Sequence, residues 1–362
     1  MQDAPLVLVT GITGFLGSHC ARHLIESGYR VRGSVRSLRD EYKLSPVRAL
    51  QALSETPIEL VEADLLAPDK WPAAVAGCRY VLHVASPFTF DIHDDPDAVI
   101  KPAVEGTLSV LRAVVADAGS TIRRVVLTSS LAAIITGRNP VEKVWTGDDW
   151  ADLATPVHAV PPYYASKYLA ERAAWDFLEA LPDDQKFELS VICPGFITGP
   201  QSGPVAGTTA LTCSRLLKGQ EAAVPHMLFP GVDVRDVAHA HVMAMTADGA
   251  AGQRFVCAPF EFSLREGARL LAEEFNPLGY RVSSLPLPSW IVPLLSHLDP
   301  TLEAIAPYLG HRIRVDNGPA ERVLKIAQWR GFRDSWIEEA YSLLEHDIVP
   351  DRRRVKSAQA SL

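Results

Sequence analysis

The sequence predicts an α/β protein in which helices cover a parallel β-sheet. From the start of the chain to about Pro194, short apolar runs rich in β-branched residues alternate with longer amphipathic stretches. Apolar residues make up 48% of the 362 residues, which is enough for a large buried core. At this length one core usually divides into two, so we expect a large domain and a smaller one.

The strands are predicted where the short apolar runs occur. In chain order they are Leu6–Thr10, Arg30–Val35, Ile58–Glu62, Tyr80–Val84, Val125–Ser129 and Leu189–Cys193. Apolar residues spaced three and four apart predict helices between them, at Phe15–Ser27, Trp71–Ala76, Val99–Ala118 and Tyr163–Leu181. Crossovers in such a sheet are right-handed, and its ligands bind at the carboxyl ends of the strands, where the strand order reverses.

The regular alternation ends after Pro194. The segment Val232–Ala247 and the strand-like Arg254–Cys257 are expected to return to the first domain, whereas the remaining sequence is less regular. The predicted first domain is therefore 1–195 together with 231–258. The segments 196–230 and 259–345 are predicted to form a smaller, irregular substrate lobe, and 346–362 a tail.

Charge and cysteine content exclude several classes of protein. The 43 acidic and 35 basic side chains give a net charge of −8, which is unfavourable for binding nucleic acid. The five cysteines include no CxxC pair, so neither a disulfide framework nor a thiolate metal site is predicted. We expect reduced thiols and a cytoplasmic protein. The beginning of the chain has no basic segment typical of a signal peptide, and prolines and glycines interrupt the long uncharged stretches, so no membrane span is expected.

The first predicted strand runs into a glycine-rich turn with the spacing GxxGxxG. Glycines at such a turn permit close approach of the backbone to a pyrophosphate, and the helix that follows directs N–H groups at the phosphates. A string of this kind can also be an ordinary strand-to-helix turn, but its position at the first βα junction favours a dinucleotide site. The candidate binding residues are Gly11, Thr13, Gly14, Phe15, Leu16 and Gly17.

The end of the second strand indicates which dinucleotide is bound. Enzymes that use NAD place a carboxylate there to bind the adenosine ribose, but this strand ends without an acid and Arg36 follows. A guanidinium at this position can bind a 2′-phosphate, with help from Ser37 or Lys43, so NADPH is predicted over NADH. After the third strand, Asp64 is a candidate for contact with the adenine amino group, although it can equally cap the next turn.

A second group of polar residues is predicted at the same edge of the sheet. Tyr163 and Lys167 are four apart in a predicted helix and share a face, so the ammonium group can lower the pKa of the phenol towards neutrality. Tyr164 has no such partner, because Tyr168 follows it at that spacing. The fifth strand ends at Ser130, which can hydrogen-bond a substrate carbonyl oxygen.

Together these motifs resemble the extended short-chain dehydrogenase/reductase family, with a doubly wound Rossmann-type sheet. Within it, the chain is most similar to the branch of dihydroflavonol 4-reductase, cinnamoyl-CoA reductase and related NADPH-dependent carbonyl reductases. The resemblance covers roughly residues 5 to 260. It rests on the strings TGITGFLG from Thr10, ADLL from Ala63, VLHVASPF from Val81, IKPAVEGTLSVLRA from Ile100, VVLTSS from Val125, YYASK from Tyr163 and CPGFITGP from Cys193.

The resemblance also implies roles for particular residues. Ser130, Tyr163 and Lys167 would form a catalytic triad, and Tyr163 and Lys167 would also contact the cofactor. Arg36 and Lys43 would bind the 2′-phosphate. The remaining cofactor contacts implied are Asp64 and Leu65 at the adenine and Val84, Ala85, Ser86, Pro194, Gly195, Phe196 and Ile197 along the dinucleotide. The substrate pocket would be built from the segments after Ser130 and after Pro200.

The expected function is reduction of an aldehyde or ketone to an alcohol, with hydride from NADPH and a proton from Tyr163. Within the same fold, a 3β-hydroxysteroid dehydrogenase or a sugar-nucleotide epimerase or dehydratase remains an alternative. An NADP-binding sensor without activity is a further alternative, from a different class of protein. The small-molecule substrate and the choice between monomer and homodimer stay open.

Overall fold

The computed structural model describes residues 4–86, 95–116, 121–135, 143–152, 162–207, 209–288 and 312–353. Seven parallel strands form its main sheet in the order β11-β7-β5-β4-β1-β2-β3. Their bounds are β1 Leu6–Val9, β2 Arg30–Val35, β3 Glu59–Glu62, β4 Tyr80–His83, β5 Arg124–Thr128, β7 Glu188–Pro194 and β11 Arg254–Cys257. The strand order reverses between β1 and β4, which places the expected ligand crevice at their carboxyl ends.

Helices cover both faces of this sheet. In chain order the helices described are α1 Phe15–Glu26, α2 Glu41–Gln51, α3 Trp71–Val75, α4 Asp97–Ala116, α5 Pro162–Ala180, α6 Ala210–Leu217, α7 Val234–Thr246, α8 Leu264–Phe275, α9 Gly318–Val323 and α10 Phe332–Glu345. One apolar core packs α1, α2 and α7 against the sheet, and a second packs α3, α4 and α5 against its other face. The predicted Rossmann-type doubly wound fold is confirmed.

A third apolar core lies outside the main sheet and joins α6, α8 and α10. At its centre Phe262 stacks on Phe332, with 4.2 Å between ring centroids, beside the buried Trp336. The shorter strands are β6 Val144–Trp145, β8 Phe196–Thr198, β9 Val224–Pro225, β10 Leu228–Asp233, β12 Phe260–Ser263, β13 Pro286–Leu287 and β14 Arg314–Val315. They form the sheets β12-β10-β8, β13-β9 and β14-β6.

The bounds of the predicted strands and helices agree closely with the structure. The structure also contains elements that were not predicted, namely the strands β6, β8–β10 and β12–β14 and the helices α2, α6, α8, α9 and α10. Helix α2 was not predicted, because Pro46 interrupts its pattern even though Asp40 caps the helix by accepting the N–H of Lys43. The segment Val232–Ala247, expected to return to the first domain, contains the end of β10 at Asp233 and the helix α7, which begins at Val234. Asp233 is the cap that separates the two elements, accepting the N–H of Arg235.

Strand β5, which leads to Ser130, is fastened to α7 at both ends. At its start, the buried guanidinium of Arg124 donates to the carbonyls of Ala244 and Ala247, where α7 ends. At its end, Thr128 Oγ1 lies 2.7 Å from Nε2 of His241. These contacts hold the register of the strand that carries the candidate catalytic serine.

The domain limits stay a prediction. β11 is an edge strand of the main sheet and pairs with β7, although it follows the first segment of the predicted substrate lobe. Residues 289–311 of that lobe and 354–362 of the predicted tail lie outside the described residues. All five cysteines are free and buried. Among the described helices, none is long and apolar enough to cross a membrane.

Candidate functional site

The glycine-rich turn joins β1 to α1 at the point where the strand order reverses. Gly11 has a φ of +66°, and its carbonyl accepts the N–H of Gly14 at 2.9 Å. A Cβ on Gly17 would lie 2.3 Å from the carbonyl oxygen of Gly11, so the start of α1 can approach the turn only without a side chain there. No acidic residue occupies the first turn of α1, which leaves its positive dipole end available to an anion.

Thr10 connects this turn to the end of β4. Its Oγ1 accepts the N–H groups of Val84 and Ala85 at 3.0 and 2.9 Å, and it lies 3.0 Å from Nδ1 of His83. The hydroxyl therefore donates to Nδ1, which places the proton of the neutral imidazole on Nε2. Burial, with a smaller effect of the nearby Lys167 charge, lowers the pKa of His83 to about 3. His83 is thus a neutral packing residue that positions the segment following β4.

A cavity opens at the start of α1, where the phosphates are expected. Its walls are Thr13, Gly14, Phe15, Ser18, Lys43, Pro46 and residues 201–205. Lys43 reaches this cavity from α2 and lies 3.1 Å from Asp40. Arg36 is exposed at the tip of β2 and makes no ion pair with any residue in the described ranges. The two predicted phosphate-binding cations are thus on β2 and α2, at the same end of the sheet.

The segment 200–207, which the sequence reasoning did not assign to the cofactor site, covers the turn. His19 of α1 lies 2.8 Å from the carbonyl oxygen of Pro200, and a Cβ on Gly207 would lie 2.8 Å from the ring of Phe15. From the other side, Ser342 Oγ of α10 accepts the N–H of Gln201 at 2.8 Å. In the sequence, the closely spaced prolines and glycines of this segment were the feature that could have predicted its place in the cofactor site.

Other predicted cofactor residues lie around the same crevice. Asp64 Oδ1 accepts the N–H of Leu66 at 2.9 Å, the capping role that the sequence also allowed, and Leu65 packs against Gly106 of α4. Pro194 ends β7, and Gly195 donates its N–H to the carbonyl of Cys257. The ring of Phe196 packs against other aromatic rings of the third core. Ile197 pairs with Val232 in the small sheet.

The candidate catalytic residues lie at the carboxyl end of β5 and the start of α5. Ser130 follows β5, accepts the N–H of Ala132 at 3.1 Å and hydrogen-bonds the phenol of Tyr163. Lys167 lies one helical turn beyond Tyr163 on α5. It lines a second cavity with Ala85, Ser86, Thr107, Leu127, Thr128, Ser129, Ala170 and Glu171. The structure thus brings Ser130, Tyr163 and Lys167 to one place.

Burial changes the pKa values of the two ionisable candidates in opposite directions. Tyr163 and Lys167 are partly exposed as whole residues, but their ionisable ends point into the protein. Burial raises the pKa of Tyr163 against the opposing hydrogen bond from Ser130, and it lowers the pKa of Lys167 to about 8. The expected lowering of the pKa of Tyr163 is absent from this structure, because burial outweighs the effect of the hydrogen bond from Ser130.

Sequence reasoning also missed Glu171, which follows Lys167 by four residues on the same face of α5. Its side chain is 1% exposed and pairs with Arg254, at 2.5 Å between Oε1 and Nε. Arg254 in turn lies over the ring of Trp150, 3.7 Å from its centroid. The spacing of Tyr163, Lys167 and Glu171 was the signal that would have identified this residue.

Comparisons with known proteins agree with this geometry. Residues 7–258 match the protein-family model described as the NAD dependent epimerase/dehydratase family. The chain is 32% identical over 292 residues to the NADPH-dependent methylglyoxal reductase GRE2 of Saccharomyces cerevisiae, covering 75% of this chain and 83% of the relative. It is 34% identical over 254 residues to the cinnamoyl-CoA reductase CAD2 of Medicago truncatula, covering 68% and 74%.

A solved structure extends the likeness over nearly the whole chain. The crystal structure of yeast methylglyoxal/isovaleraldehyde reductase Gre2 complexed with NADPH aligns with a TM-score of 0.78 and 27% identity. The alignment covers 94% of this chain and 99% of the yeast chain. The family match spans well over half of the sequence, from β1 to the end of β11. The chain therefore belongs to the epimerase/dehydratase family, the extended branch of the short-chain dehydrogenases/reductases.

Proposed function

We propose that this protein is an NADPH-dependent reductase that converts an aldehyde or ketone carbonyl to an alcohol. One observation carries the proposal. The phenol of Tyr163 is hydrogen-bonded to Ser130, with Lys167 one helical turn away, at the sheet edge that also bears the glycine-rich turn. A hydroxyl donor, a proton donor and a cation at one dinucleotide crevice are suited to carbonyl chemistry.

The residues present fit a dinucleotide phosphate. There is no room for a side chain at Gly17, the space at Gly11 and Gly14 is tight, and Lys43 lines the cavity there. Arg36 and Lys43 would hold the 2′-phosphate, while Lys167 would hold the ribose beside Tyr163. NADPH, when bound, supplies the hydride for the carbonyl carbon.

The polar side chains complete the reaction. Ser130 would donate a hydrogen bond to the carbonyl oxygen and stabilise the charge that develops on it. Tyr163 would then donate its proton to the alkoxide. Its raised pKa keeps the phenol protonated at neutral pH, as a proton donor requires. The positive charge of Lys167 would stabilise the phenolate that remains.

The substrate is proposed to be a small carbonyl compound that enters between the sheet edge and the substrate lobe. A relative whose name specifies methylglyoxal supports this class. A second relative, whose name specifies cinnamoyl-CoA, makes a conjugated thioester carbonyl a further compound to test. Both compounds carry a reducible carbonyl next to an unsaturated or carbonyl carbon. We also propose a cytoplasmic monomer or homodimer, which size-exclusion chromatography with light scattering would distinguish.

The test is NADPH oxidation with methylglyoxal, isovaleraldehyde, cinnamoyl-CoA, a dihydroflavonol, a keto ester and a 3-ketosteroid, with NADH in parallel. At least one carbonyl should be reduced, faster with NADPH than with NADH. Tyr163→Phe should lower kcat by roughly 100-fold or more, because it removes the proton donor, and should leave the Kd for NADPH within a few-fold. Tyr168→Phe on the same helix removes a hydroxyl away from the site and should retain activity. A Tyr163→Phe enzyme with normal kcat would contradict the proposal.

A further inference from the structure

We propose that Glu171 is a positioning residue for the catalytic amine: its buried carboxylate fixes Ser129 beside Ser130 and supplies the negative charge that keeps Lys167 a cation. This inference rests on the proposed function. Glu171 would act through Lys167 and through Ser129 at the end of β5.

Both carboxylate oxygens of Glu171 are held by donors from three elements. Oε2 accepts from Ser129 Oγ at 2.5 Å and from Nη2 of Arg254 at 3.2 Å. Oε1 accepts from Arg254 Nε at 2.5 Å and from the indole of Trp175 at 3.2 Å. Four hydrogen bonds to one buried carboxylate fix its orientation. Ser129 precedes Ser130 directly, so the carboxylate also fixes the backbone that carries the candidate catalytic serine.

The position of Glu171 on α5 places its charge beside the amine. Tyr163, Lys167 and Glu171 follow one another at intervals of four residues and therefore share a helix face. Lys167 and Glu171 line the same cavity. Burial acts against the ammonium form of Lys167, and the charge of Glu171 acts in its favour.

Within the described ranges, the other titratable groups near Lys167 do not supply that negative charge. From β4, His83 is neutral, because burial holds its pKa far below neutrality. From β7, burial raises the pKa of Cys193 well above its ordinary value, so its thiol is uncharged. From β11 comes Arg254, a cation paired with Glu171. Among the described residues that act electrostatically on Lys167, Glu171 is the one carboxylate.

Arg254 explains how this carboxylate is tolerated inside the protein. The side chain of Arg254 is 7% exposed, and its Nη1 donates to the carbonyl of Gly147 at 2.6 Å. It also stacks on Trp150, whose ring packs against Tyr168 of α5. An ion pair with further hydrogen bonds on both partners offsets the desolvation of two buried charges. Glu171 lines the same cavity as Lys167, whereas Arg254 is not among the residues that line it.

The test compares Glu171→Gln with Glu179→Gln, which removes the same charge from an exposed position on the same helix. Without the carboxylate, the first proton is lost from the Tyr163–Lys167 pair at a lower pH. In the pH profile of kcat for carbonyl reduction, the alkaline limb is the decline of kcat at high pH. The midpoint of this alkaline limb should therefore lie roughly half to one pH unit lower in Glu171→Gln than in the wild type. The kcat at pH 7 should fall roughly 10- to 100-fold, since Ser129 loses its fixed partner. Glu179→Gln should match the wild type in both respects.

A second readout does not depend on turnover. The Kd for NADPH, measured by nicotinamide fluorescence between pH 6 and 10, should rise at a lower pH in Glu171→Gln than in the wild type, because the amine that holds the ribose loses its proton earlier. A structural role alone would weaken folding without moving this titration. Glu171→Asp keeps the negative charge, so its alkaline limb of kcat should lie at the same pH as in the wild type.

If Glu171→Gln does not fold, the double variant Glu171→Gln, Arg254→Gln takes its place, because it removes both members of the buried ion pair and leaves no unpaired guanidinium. Its limb and its NADPH titration should also move to lower pH. If the alkaline limb of kcat and the NADPH titration stay at the wild-type pH in both variants, the role of Glu171 is refuted even though the enzyme is active. A wild type that binds NADPH and reduces no carbonyl would refute the proposed function instead, and the binding titration would still decide the role of Glu171.

Discussion

Tyr163 and Lys167 have pKa values that move in opposite directions, and burial is the main cause of both changes. Burial disfavours the charged form of each group, which is the phenolate of tyrosine and the ammonium of lysine. The sequence could place the two side chains on one face of a helix, because that follows from spacing alone. It could not indicate how deeply their ends are buried, and therefore predicted the wrong direction for the pKa of Tyr163.

Arg36 provides a test of cofactor selectivity at the same scale. It is exposed and makes no ion pair with another described residue, so its guanidinium is available to a 2′-phosphate. Arg36→Ala should raise the Kd for NADPH roughly 10- to 100-fold, the range for losing hydrogen bonds to a charged group, and should leave the Kd for NADH nearly unchanged. Fluorescence titration with both dinucleotides measures this difference.

Arg39→Ala is the matched control for that prediction. It removes an exposed arginine three residues away, from the loop before α2. We expect the preference for NADPH to survive in Arg39→Ala. Equal loss of affinity in both variants would mean that the general positive charge of this loop, rather than Arg36, selects the phosphate.

At the scale of elements, the sequence predicted the strands and helices with regular patterns and failed where two local signals conflict. Pro46 concealed α2, although Leu44, Val47 and Leu50 are all buried on one face of that helix. The cover over the cofactor turn, residues 200–207, was also not predicted. Its position depends on contacts with α1 and α10, which are distant in sequence.

At the start of α1, a single added methyl group should weaken NADPH binding. In Gly17→Ala the added Cβ would lie 2.3 Å from a backbone oxygen, so the helix must move away from the turn. NADPH affinity should fall at least about 10-fold, because the helix N–H groups no longer face the phosphates. Isothermal titration or fluorescence would measure this affinity.

Gly331→Ala, at the start of α10, is the control. It adds the same methyl group where nothing lies within 4 Å, and it should bind NADPH like the wild type. Unchanged affinity in Gly17→Ala would contradict the placement of the phosphates.

At the scale of the whole molecule, buried histidines join separate parts of the fold in their neutral form. His19 contacts the segment over the cofactor turn, His83 contacts β1, and His241 contacts β5. Burial lowers their pKa values to about 4, about 3 and about 4, respectively. His23 and His239 form a further pair between α1 and α7, 3.2 Å apart, and burial lowers the pKa of each.

Stability should therefore decrease as the pH falls below about 6.5, the ordinary histidine pKa in the unfolded chain. Between that pH and the lowered pKa values, the unfolded state binds more protons than the folded state, which favours unfolding at lower pH. Each histidine that stays neutral in the fold contributes about 1.4 kcal/mol per pH unit. The raised pKa values of Glu339 and Asp236 act in the opposite direction and reduce the slope.

Urea unfolding at pH 7, 6, 5.5 and 5 measures this dependence. His241→Gln should reduce the slope by up to about 1.4 kcal/mol per pH unit, because it removes one buried imidazole. His226→Gln replaces an exposed histidine and should leave the slope unchanged. An unfolding free energy that stays constant from pH 7 to pH 5 would show that these imidazoles do not remain neutral in the fold.

The sequence by itself determined the fold class, the glycine-rich turn and the pairing of Tyr163 with Lys167. Each of these follows from periodicity or spacing within a short stretch of chain, where geometry is local. Only the tertiary structure decided that Glu171 and Arg254 form a buried pair behind the amine, that residues 200–207 cover the turn, and that burial sets the pKa values. These properties depend on which distant segments exclude water from a side chain, and no local pattern carries that information.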